Sequence, residues 1–244
     1  MHRFYAEQTE EGYAFSPEDA RHALRVLRLK DGAEVEIVAG GVRWQATLEV
    51  RGDRVFARLG DRLPDTEAKL RVTLYQGLPK ADKMDLIVRM ATELGAAAIQ
   101  PVAMDRSVVR LDGKDEGRRR ERWEKIAREA VKQCGRVCPP EIRGTKPLSA
   151  LCGEMQALDL LLIPWEEATG GESIGQQVRV ALSGGATSVG ILIGPEGGID
   201  AEEISWLCAN TNTKTVTLGP RILRTETAGP VALALVMGFA GEME

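Results

Sequence analysis

The chain has 244 residues, of which 43% are hydrophobic, and its formal net charge is −4. This length can hold one large domain, or a small domain and a medium one, with a sizeable core. The sequence contains no apolar run of the eighteen or so residues that a membrane span needs, and its first residues lack the apolar segment of a secretory signal. We therefore expect a cytoplasmic protein with no membrane attachment.

The charge is distributed unevenly along the chain. Residues 1–68 carry a net charge of −3, residues 69–147 one of +7, and residues 148–244 one of −8. The acidic overall balance thus hides a basic middle third, which is compatible with a nucleic-acid partner but does not establish one.

The four cysteines do not form a recognisable metal or disulfide framework. Cys134 and Cys138 are spaced C-x3-C without a second pair, and the chain has only two histidines. This spacing is poor for zinc, so we expect reduced cysteines and no metal.

Residues 1–68 have the pattern of a small β domain that includes one helix. Ser16 and Pro17 are typical of a helix start, and we predict a short helix over 16–29. Alternating apolar and polar residues predict strands over 34–38, 43–50 and 54–59, with glycine-containing turns between them. We expect a barrel or sandwich of short strands that ends in a linker at 63–69.

From residue 70 onward, predicted strands alternate with predicted helices. We predict strands over 70–76, 97–102, 158–163, 189–193 and 215–219. A helix capped by Asp82 and ended by Gly95 follows the first of these strands, and a basic helix covers 116–134. This alternation predicts an α/β domain with a mostly parallel sheet over residues 69–244.

Two loops of this domain stand out, because each follows a strand and leads into a predicted helix. Residues 191–198 read ILIGPEGG, with Asp200 as the cap of a helix over 201–209. Residues 216–227 read VTLGPRILRTET, and a helix opens at Thr225 or Glu226 and continues through Met237. Glycines let a ligand lie against the backbone, so the pair predicts a ligand cleft at the strand ends.

The loops do not match the common phosphate-binding sequences. No GK[ST] or GxGxxG motif is present, which disfavours a polyphosphate ligand. A single GPEGG segment is also compatible with a simple tight turn. The combination of both loops favours a ligand with an apolar ring system over that alternative.

The same residues carry a family resemblance. GPEGG followed by LGPRILRTETA is similar to the cofactor-binding end of the SPOUT methyltransferases, and in detail to their RsmE family. MHRFYA at the N-terminus, HALRVLRLKDGAEV at 22–35, QGLPKADKMDLIVRMATELG at 76–95 and EAVKQCGR at 129–136 resemble that family in the same order. The resemblance therefore covers essentially the whole chain.

The resemblance implies both a fold and an activity. The fold would be a PUA-like RNA-binding β-barrel over 1–68 and a C-terminal parallel-sheet SPOUT domain with a deep trefoil knot over 69–244. The activity would be methylation of N3 of a uridine in 16S ribosomal RNA of the small ribosomal subunit, with S-adenosyl-L-methionine as cofactor. A homodimer is also implied.

The resemblance further implies a set of cofactor-binding residues at the ends of three strands and in the two loops. They are Leu162, Ile163, Pro164, Gly194, Pro195, Glu196, Gly197, Gly198, Leu218, Gly219, Ile222, Leu223, Arg224 and Thr225.

Methylation of a uridine N3 requires alignment of the reactants, loss of the imide proton and stabilisation of the charge on the ring oxygens. Positioning is the largest contribution, at about 7–11 kcal/mol. Arg136 or Arg224 is a candidate for charge stabilisation. Glu196 and Glu226 are the candidate bases, although capping of the last helix explains Glu226 equally well.

The candidate RNA contacts are basic residues in the first domain, on the basic helix and in the QCGR segment. On a helix surface the alternative explanation is a solvated charged face, whereas phosphate contacts would supply RNA affinity. The candidates are His22, Arg25, Arg28, Arg118, Arg122, Lys125, Lys132 and Arg136.

Three other functions are compatible with parts of the pattern. A SPOUT enzyme that methylates the ribose 2′-oxygen would use the same cleft. A non-catalytic RNA-binding or ribosome-assembly protein would lack cofactor binding. An unrelated α/β nucleotide-binding enzyme is disfavoured by the absence of phosphate motifs.

Overall fold

The computed structural model describes residues 1–108, 113–166 and 172–243. The chain divides into two compact units. The first consists of Met1–Glu67 together with Val131–Cys138, and the second of Ala68–Ala130 together with Pro139–Glu244.

The first unit is built on a closed five-stranded barrel in the order β1-β2-β5-β4-β3. Strands β1 and β3 pair in parallel, and the remaining pairs are antiparallel. Phe4, Ile37 and Leu48 lie in its apolar core. The strands are β1 (Arg3–Thr9), β2 (Gly12–Phe15), β3 (Glu34–Ala39), β4 (Val42–Arg51) and β5 (Arg54–Arg62). The predicted β unit is therefore confirmed, and its form is a barrel.

A short helix connects β2 to β3. Helix α1 (Pro17–Arg21) starts as predicted, because the Ser16 hydroxyl oxygen accepts a 3.1 Å hydrogen bond from the Asp19 N–H. It continues as a single π-helical turn, His22–Val26. Arg28 then has φ +54°, which is incompatible with a right-handed helix, so the helical segment is shorter than the predicted 16–29.

The second unit contains a parallel sheet in the order β11-β13-β10-β12-β6-β7-β8, and β9 also pairs with β7. Every strand pair in it is parallel. The strands are β6 (Arg71–Gly77), β7 (Ala98–Ala103), β8 (Glu141–Ile142), β9 (Lys146–Pro147), β10 (Leu160–Pro164), β11 (Glu172–Ser173), β12 (Ser188–Ile193) and β13 (Thr213–Thr217).

Helices follow most of the longer strands of this sheet. They are α2 (Lys83–Glu93), α3 (Gly113–Cys134), a 3₁₀ turn at Leu148–Leu151, α4 (Cys152–Gln156), α5 (Ile174–Ser183), α6 (Ala201–Asn210) and α7 (Thr225–Phe239). Two apolar clusters fill the unit; the larger includes Leu74 and Ile191, and the other includes Tyr75 and Leu192.

The predicted α/β domain and its parallel sheet are confirmed, and the trefoil knot stays a prediction. The last predicted strand begins and ends two residues earlier than expected, and the turn at Gly219 (φ +96°) and Pro220 accounts for its earlier end. Asp200 caps α6 as predicted, in a capping box with Glu203. Strands β1 and β2, helices α4 and α5 and the two-residue strands were not predicted, although the Ser173 hydroxyl oxygen caps α5. Among the described residues, no helix has the length and apolarity needed to cross a membrane.

Candidate active site

A cavity of about 860 Å³ lies in the second unit, at the carboxyl ends of β10, β12 and β13. These three strands are neighbours in the sheet, which brings together loops that lie far apart in sequence. The lining comprises Lys83, Pro164, Trp165, Glu166, Ile193, Gly194, Pro195, Glu196, Gly197, Gly198, Ile199, Thr217, Leu218, Gly219, Pro220, Arg221, Ile222, Leu223, Arg224, Thr225 and Ala228. Both loops predicted to form the cleft therefore line one cavity.

The GPEGG loop passes very close to the end of β6. A Cβ atom built on Gly77 would lie 2.7 Å from the backbone nitrogen and from the Cδ atom of Pro195. No side chain fits at that separation, so Gly77 is needed for the loop to lie against β6.

A chain of buried hydrogen bonds ties the same loop to the last helix. Gln76 Nε2 donates to Thr225 Oγ1 over 2.9 Å, and the Thr225 hydroxyl donates to the Gly194 carbonyl oxygen over 2.7 Å. Gln76 is fully buried and Thr225 nearly so. The start of α7 and the loop after β12 are thereby fixed to each other.

An ionic contact joins the two segments at a second point. Lys83 Nζ lies 2.9 Å from Glu196 Oε1, in the GPEGG loop, and 3.1 Å from Glu226 Oε2, in the first turn of α7. The Lys80 N–H also donates to Glu196 Oε1 over 3.0 Å. One ammonium group thus holds two carboxylates from two different loops.

These contacts keep all three groups charged. Burial alone would raise the pKa of Glu196, but hydrogen bonds from Lys83 and from backbone N–H groups outweigh it and hold the pKa below its usual value. The backbone N–H of Glu226 and then Lys83 lower the pKa of the Glu226 carboxyl. Hydrogen bonds to Glu196 and Glu226 raise the pKa of Lys83. Both carboxylates are therefore ionised at neutral pH, and each is in ionic contact with the Lys83 ammonium.

Most of the residues predicted to bind the cofactor line the cavity. The exceptions are Leu162 and Ile163, which are fully buried inside the two apolar clusters of the second unit. The lining residues are Pro164, Gly194, Pro195, Glu196, Gly197, Gly198, Leu218, Gly219, Ile222, Leu223, Arg224 and Thr225.

Sequence reasoning missed Lys83 as a site residue. It lies in the segment KADKMD, whose resemblance to the family was noted, but its place beside the GPEGG loop depends on the sheet order. Because β6 is the neighbour of β12, the loop after β6 reaches the same edge as the loop after β12.

Two arginines also line the cavity, Arg221 and Arg224, and both are exposed. Arg224 is the N-cap residue of α7, and its carbonyl oxygen accepts 2.8 Å hydrogen bonds from Thr227 and Ala228. Its guanidinium adds positive charge at the cavity and acts favourably on the Glu226 carboxylate.

Arg136 belongs to the first unit, where it is only 7% exposed. Its Nε and Nη2 atoms donate to Glu67 Oε2 over 3.0 and 2.6 Å, and the Val137 N–H donates to Glu67 Oε1 over 2.8 Å. The Tyr5 hydroxyl donates to the Arg136 carbonyl oxygen over 2.7 Å. The guanidinium is therefore engaged by a carboxylate, and its predicted role at the target base stays a prediction.

The predicted RNA contacts of the barrel unit are exposed. His22 and Arg25 lie on the π-helical turn, and Arg28 follows it with its left-handed backbone. His22 also lines a small cavity of about 200 Å³ with Tyr5 and Lys132. Unusual backbone of this kind is frequent at functional sites, and binding of this segment to RNA stays a prediction.

The basic residues of α3 are exposed but mostly paired. Arg122 contacts Asp85 and Asp82, and Lys125 lies 3.9 Å from Glu129. In the first unit, Lys132 lies 3.3 Å from Asp19. Arg118 is exposed on the same helix as Arg122. Their binding to RNA stays a prediction.

Comparison with known proteins decides the family. Residues 66–237 match a family model described as an RNA methyltransferase domain, and residues 15–59 match one described as an RNA methyltransferase PUA domain. The ribosomal RNA small subunit methyltransferase E of Bacillus subtilis is 34% identical, over 97% of this chain and 96% of that protein. The chain belongs to this family. The resemblance predicted from the sequence motifs is thereby confirmed.

Solved structures of similar proteins agree with the family. A ribosomal RNA small subunit methyltransferase E from Neisseria gonorrhoeae, bound to S-adenosyl methionine, is 30% identical, with a TM-score of 0.79 over 98% of this chain and 97% of that one. A methyltransferase from Legionella pneumophila in complex with the cofactor SAM is 29% identical, with a TM-score of 0.76 over 97% and 96% of the two chains.

Proposed function

We propose that this protein is an S-adenosyl-L-methionine-dependent methyltransferase that modifies N3 of a uridine in 16S ribosomal RNA of the small ribosomal subunit. The observation that carries the proposal is the cavity that the two glycine-containing loops form at the carboxyl ends of β10, β12 and β13, in a chain of this family. Ligands of open α/β sheets bind at such strand ends.

The residues of the cavity fit this cofactor. Its volume lies within the range of about 300–1,000 Å³ that is typical of small-molecule sites. Ile193, Leu218 and Leu223 offer apolar surface for an adenine ring. Gly219 has φ +96°, and a Cβ atom built on it meets nothing within 4 Å, so the backbone there is open to a ligand. The cofactor supplies an electrophilic methyl group carried on a positively charged sulfur.

We propose that the protein contributes mainly alignment and charge stabilisation. In this proposal the guanidinium of Arg224, which is exposed and lines the cavity, stabilises negative charge on the ring oxygens of the uracil as N3 loses its proton. Glu196 and Glu226 remain the candidate bases. Because Lys83 binds both carboxylates, a base role requires one of them to exchange Lys83 for the imide proton.

The position of N3 on the uracil ring also restricts which uridines of the RNA can be methylated. N3 lies on the Watson–Crick edge of uracil, so the uridine must be unpaired or flipped out of a helix. We propose that His22, Arg25 and Arg28 of the barrel unit contact the RNA backbone, together with Arg118, Arg122, Lys125 and Lys132. Arg136 remains a candidate contact to the base or its phosphate.

The proposal includes a homodimer located in the cytoplasm. Apolar side chains exposed in the second unit support the pairing of two copies: Leu235 and Phe239 on α7, and Val180 on α5. A molar mass in solution of twice the chain mass of 26.6 kDa would support the dimer.

The test is transfer of a labelled methyl group from S-adenosyl-L-methionine to small ribosomal subunits that lack their own modification, followed by nucleoside analysis. We expect 3-methyluridine, with loss of transfer in R224A and full transfer in R54A, whose exposed side chain lies on the barrel. A 2′-O-methyl nucleoside would overturn the N3 specificity. Absence of both transfer and cofactor binding would leave an RNA-binding protein.

A further inference from the structure

Lys83 lines the cavity, and its ammonium contacts carboxylates from two segments of the cavity wall. We propose that Lys83 is a positioning residue, which holds the cofactor cavity in its binding shape by bridging the carboxylates of Glu196 and Glu226. This inference rests on the proposed function, because it concerns binding of the cofactor named there.

The bridge adds a second attachment between two segments that the Thr225–Gly194 hydrogen bond already joins. Glu196 belongs to the loop after β12, and Glu226 to the first turn of α7; residues 194–199 and 217–225 of these two segments line the cavity. Lys83 itself begins α2, which follows β6. The ammonium therefore fixes two cavity walls to a third element.

The two carboxylates need a cation between them. Since each lies within 3.1 Å of the same nitrogen, the oxygens that contact it are at most about 6 Å apart. The Glu226 side chain is only 15% exposed, and its Oε2 atom is closed to solvent. Two negative charges at this separation and burial repel each other strongly if the ammonium is removed.

Other groups also stabilise the carboxylates of Glu196 and Glu226, but they do not join the two carboxylates as Lys83 does. Glu196 accepts the Lys80 N–H, and the Glu226 carboxylate is stabilised by its own backbone N–H at the helix start and by the charge of Arg224. Each of these contacts reaches one carboxylate, whereas Lys83 reaches both. Removal of Lys83 should therefore let the GPEGG loop move away from α7.

This account predicts a specific pH dependence for K83M. Without the ammonium, both carboxyls lose the lowering of their pKa that Lys83 supplies, and their mutual repulsion raises the pKa of one of them, so that it takes up a proton more readily as the pH falls. That proton removes the repulsion. Cofactor binding by K83M should therefore strengthen as the pH is lowered from about 8 to about 5, whereas binding by the unmodified protein should change little.

The experiment is titration calorimetry with S-adenosyl-L-methionine on the unmodified protein, K83M, K83R and K83M/E226Q, at both ends of that pH range. At the higher pH we expect K83M to bind about tenfold more weakly. K83R should bind nearly as well as the unmodified protein because it keeps the charge. K83M/E226Q should recover much of the affinity, without pH dependence, because one of the repelling charges is gone.

Several results would overturn the inference while the proposed function stands: unchanged binding by K83M, an equal loss at both pH values, or failure of K83R and K83M/E226Q to recover binding. If thermal unfolding shows that K83M does not fold, K83R and K83M/E226Q test the inference instead. The inference requires both of these variants to fold and to bind the cofactor. No cofactor binding by the unmodified protein would instead overturn the proposed function and this inference together.

Discussion

The hydroxyl group of Thr225 donates a 2.7 Å hydrogen bond to the carbonyl oxygen of Gly194, so the start of α7 is attached directly to the loop that follows β12. Thr225 in turn accepts the side-chain amide of Gln76 at the end of β6. The end of β6, the loop after β12 and the start of α7 are thus joined through one buried hydroxyl.

We expect T225V to weaken both the fold and cofactor binding. Valine keeps the shape of threonine but removes the partner of the Gly194 carbonyl oxygen and of one N–H of the Gln76 side-chain amide, which costs about 1–3 kcal/mol. Thermal unfolding should show a lower midpoint, and calorimetry a weaker affinity for S-adenosyl-L-methionine.

The matched control is T225S, which keeps the hydroxyl and should retain most of both properties. Equal behaviour of T225V and T225S would show that the hydroxyl does not hold the loop.

We expect G77A to displace the GPEGG loop. The new Cβ atom would meet the backbone nitrogen of Pro195 at 2.7 Å, and backbone atoms cannot rotate away as a flexible side chain can. Cofactor binding should fall at least tenfold, with a lower unfolding midpoint. The control is G117A on α3, where a Cβ atom meets nothing within 4 Å and alanine favours the helix by up to about 1 kcal/mol. If G77A bound the cofactor as well as G117A does, the close approach would be unimportant.

Arg136 and Arg224 should respond differently to removal of their side chains. R136A leaves the largely buried Glu67 without its cation, so we expect a loss of about 1–3 kcal/mol in the free energy of unfolding. R224A removes an exposed side chain, so its stability should stay within about 0.5 kcal/mol while methyl transfer falls.

Thermal unfolding and methyl transfer, measured on both variants, separate the two roles. A stable R136A that has lost transfer but keeps cofactor affinity would favour the predicted role of Arg136 at the target base over a role in holding the first unit together.

The segment around the π-helical turn should contribute to RNA affinity through charge. Each phosphate contact removed by R25A or R28A should reduce the slope of log affinity against log salt concentration by about 0.7–0.9. Binding to a fragment of small-subunit RNA, measured over a series of salt concentrations, tests this. R54A on the β5 strand is the matched control. Identical slopes for all three variants would exclude these arginines from the RNA interface.

Asp159 should make the second unit sensitive to acid. Its Oδ2 atom accepts hydrogen bonds from the Thr187 N–H (2.8 Å) and from the Ser188 N–H and hydroxyl, and these hold the pKa of the carboxyl below its usual value. A lowered folded-state pKa means that the stabilisation is present above the unfolded pKa of about 3.9 and is lost as the pH falls through the folded value.

D159N should therefore be less stable than the unmodified protein at neutral pH, and the difference should shrink below about pH 4. Unfolding midpoints measured across this range give the comparison. A constant difference between the two proteins would assign the effect to lost geometry and not to charge.

The sequence predicted those parts of the fold that depend on local signals. Ser16 and Asp200 carry side-chain caps, and both helices start where these residues indicate. The Gly-Pro breaks at 194–195 and 219–220 end their strands. The two-residue strands were missed because so short an extended segment leaves no periodic pattern.

The two glycine-containing loops of the candidate site were predictable, because both the family resemblance and the glycines point to them. Residues that reach the site only through the order of strands in the sheet were not predictable. No pattern in KADKMD places Lys83 between Glu196 and Glu226, since that contact follows from the pairing of β6 with β12. Leu162 was expected at the cofactor, yet strand β10 turns it into the core. Pro164, two residues further along and the last residue of β10, lines the cavity.

The residues that line the cavity come from several segments between Lys83 and Ala228. The last of them in the chain, Thr225 and Ala228, belong to α7. A chain still being synthesised, with residues beyond 217 inside the ribosome, has the sheet strands but not the wall that contains Arg224 and Thr225. Cofactor capture is therefore available only to a chain in which α7 has been completed. A cofactor that binds only the folded protein raises its unfolding midpoint as the cofactor concentration increases. This increase would therefore measure how much of the chain has completed its folding.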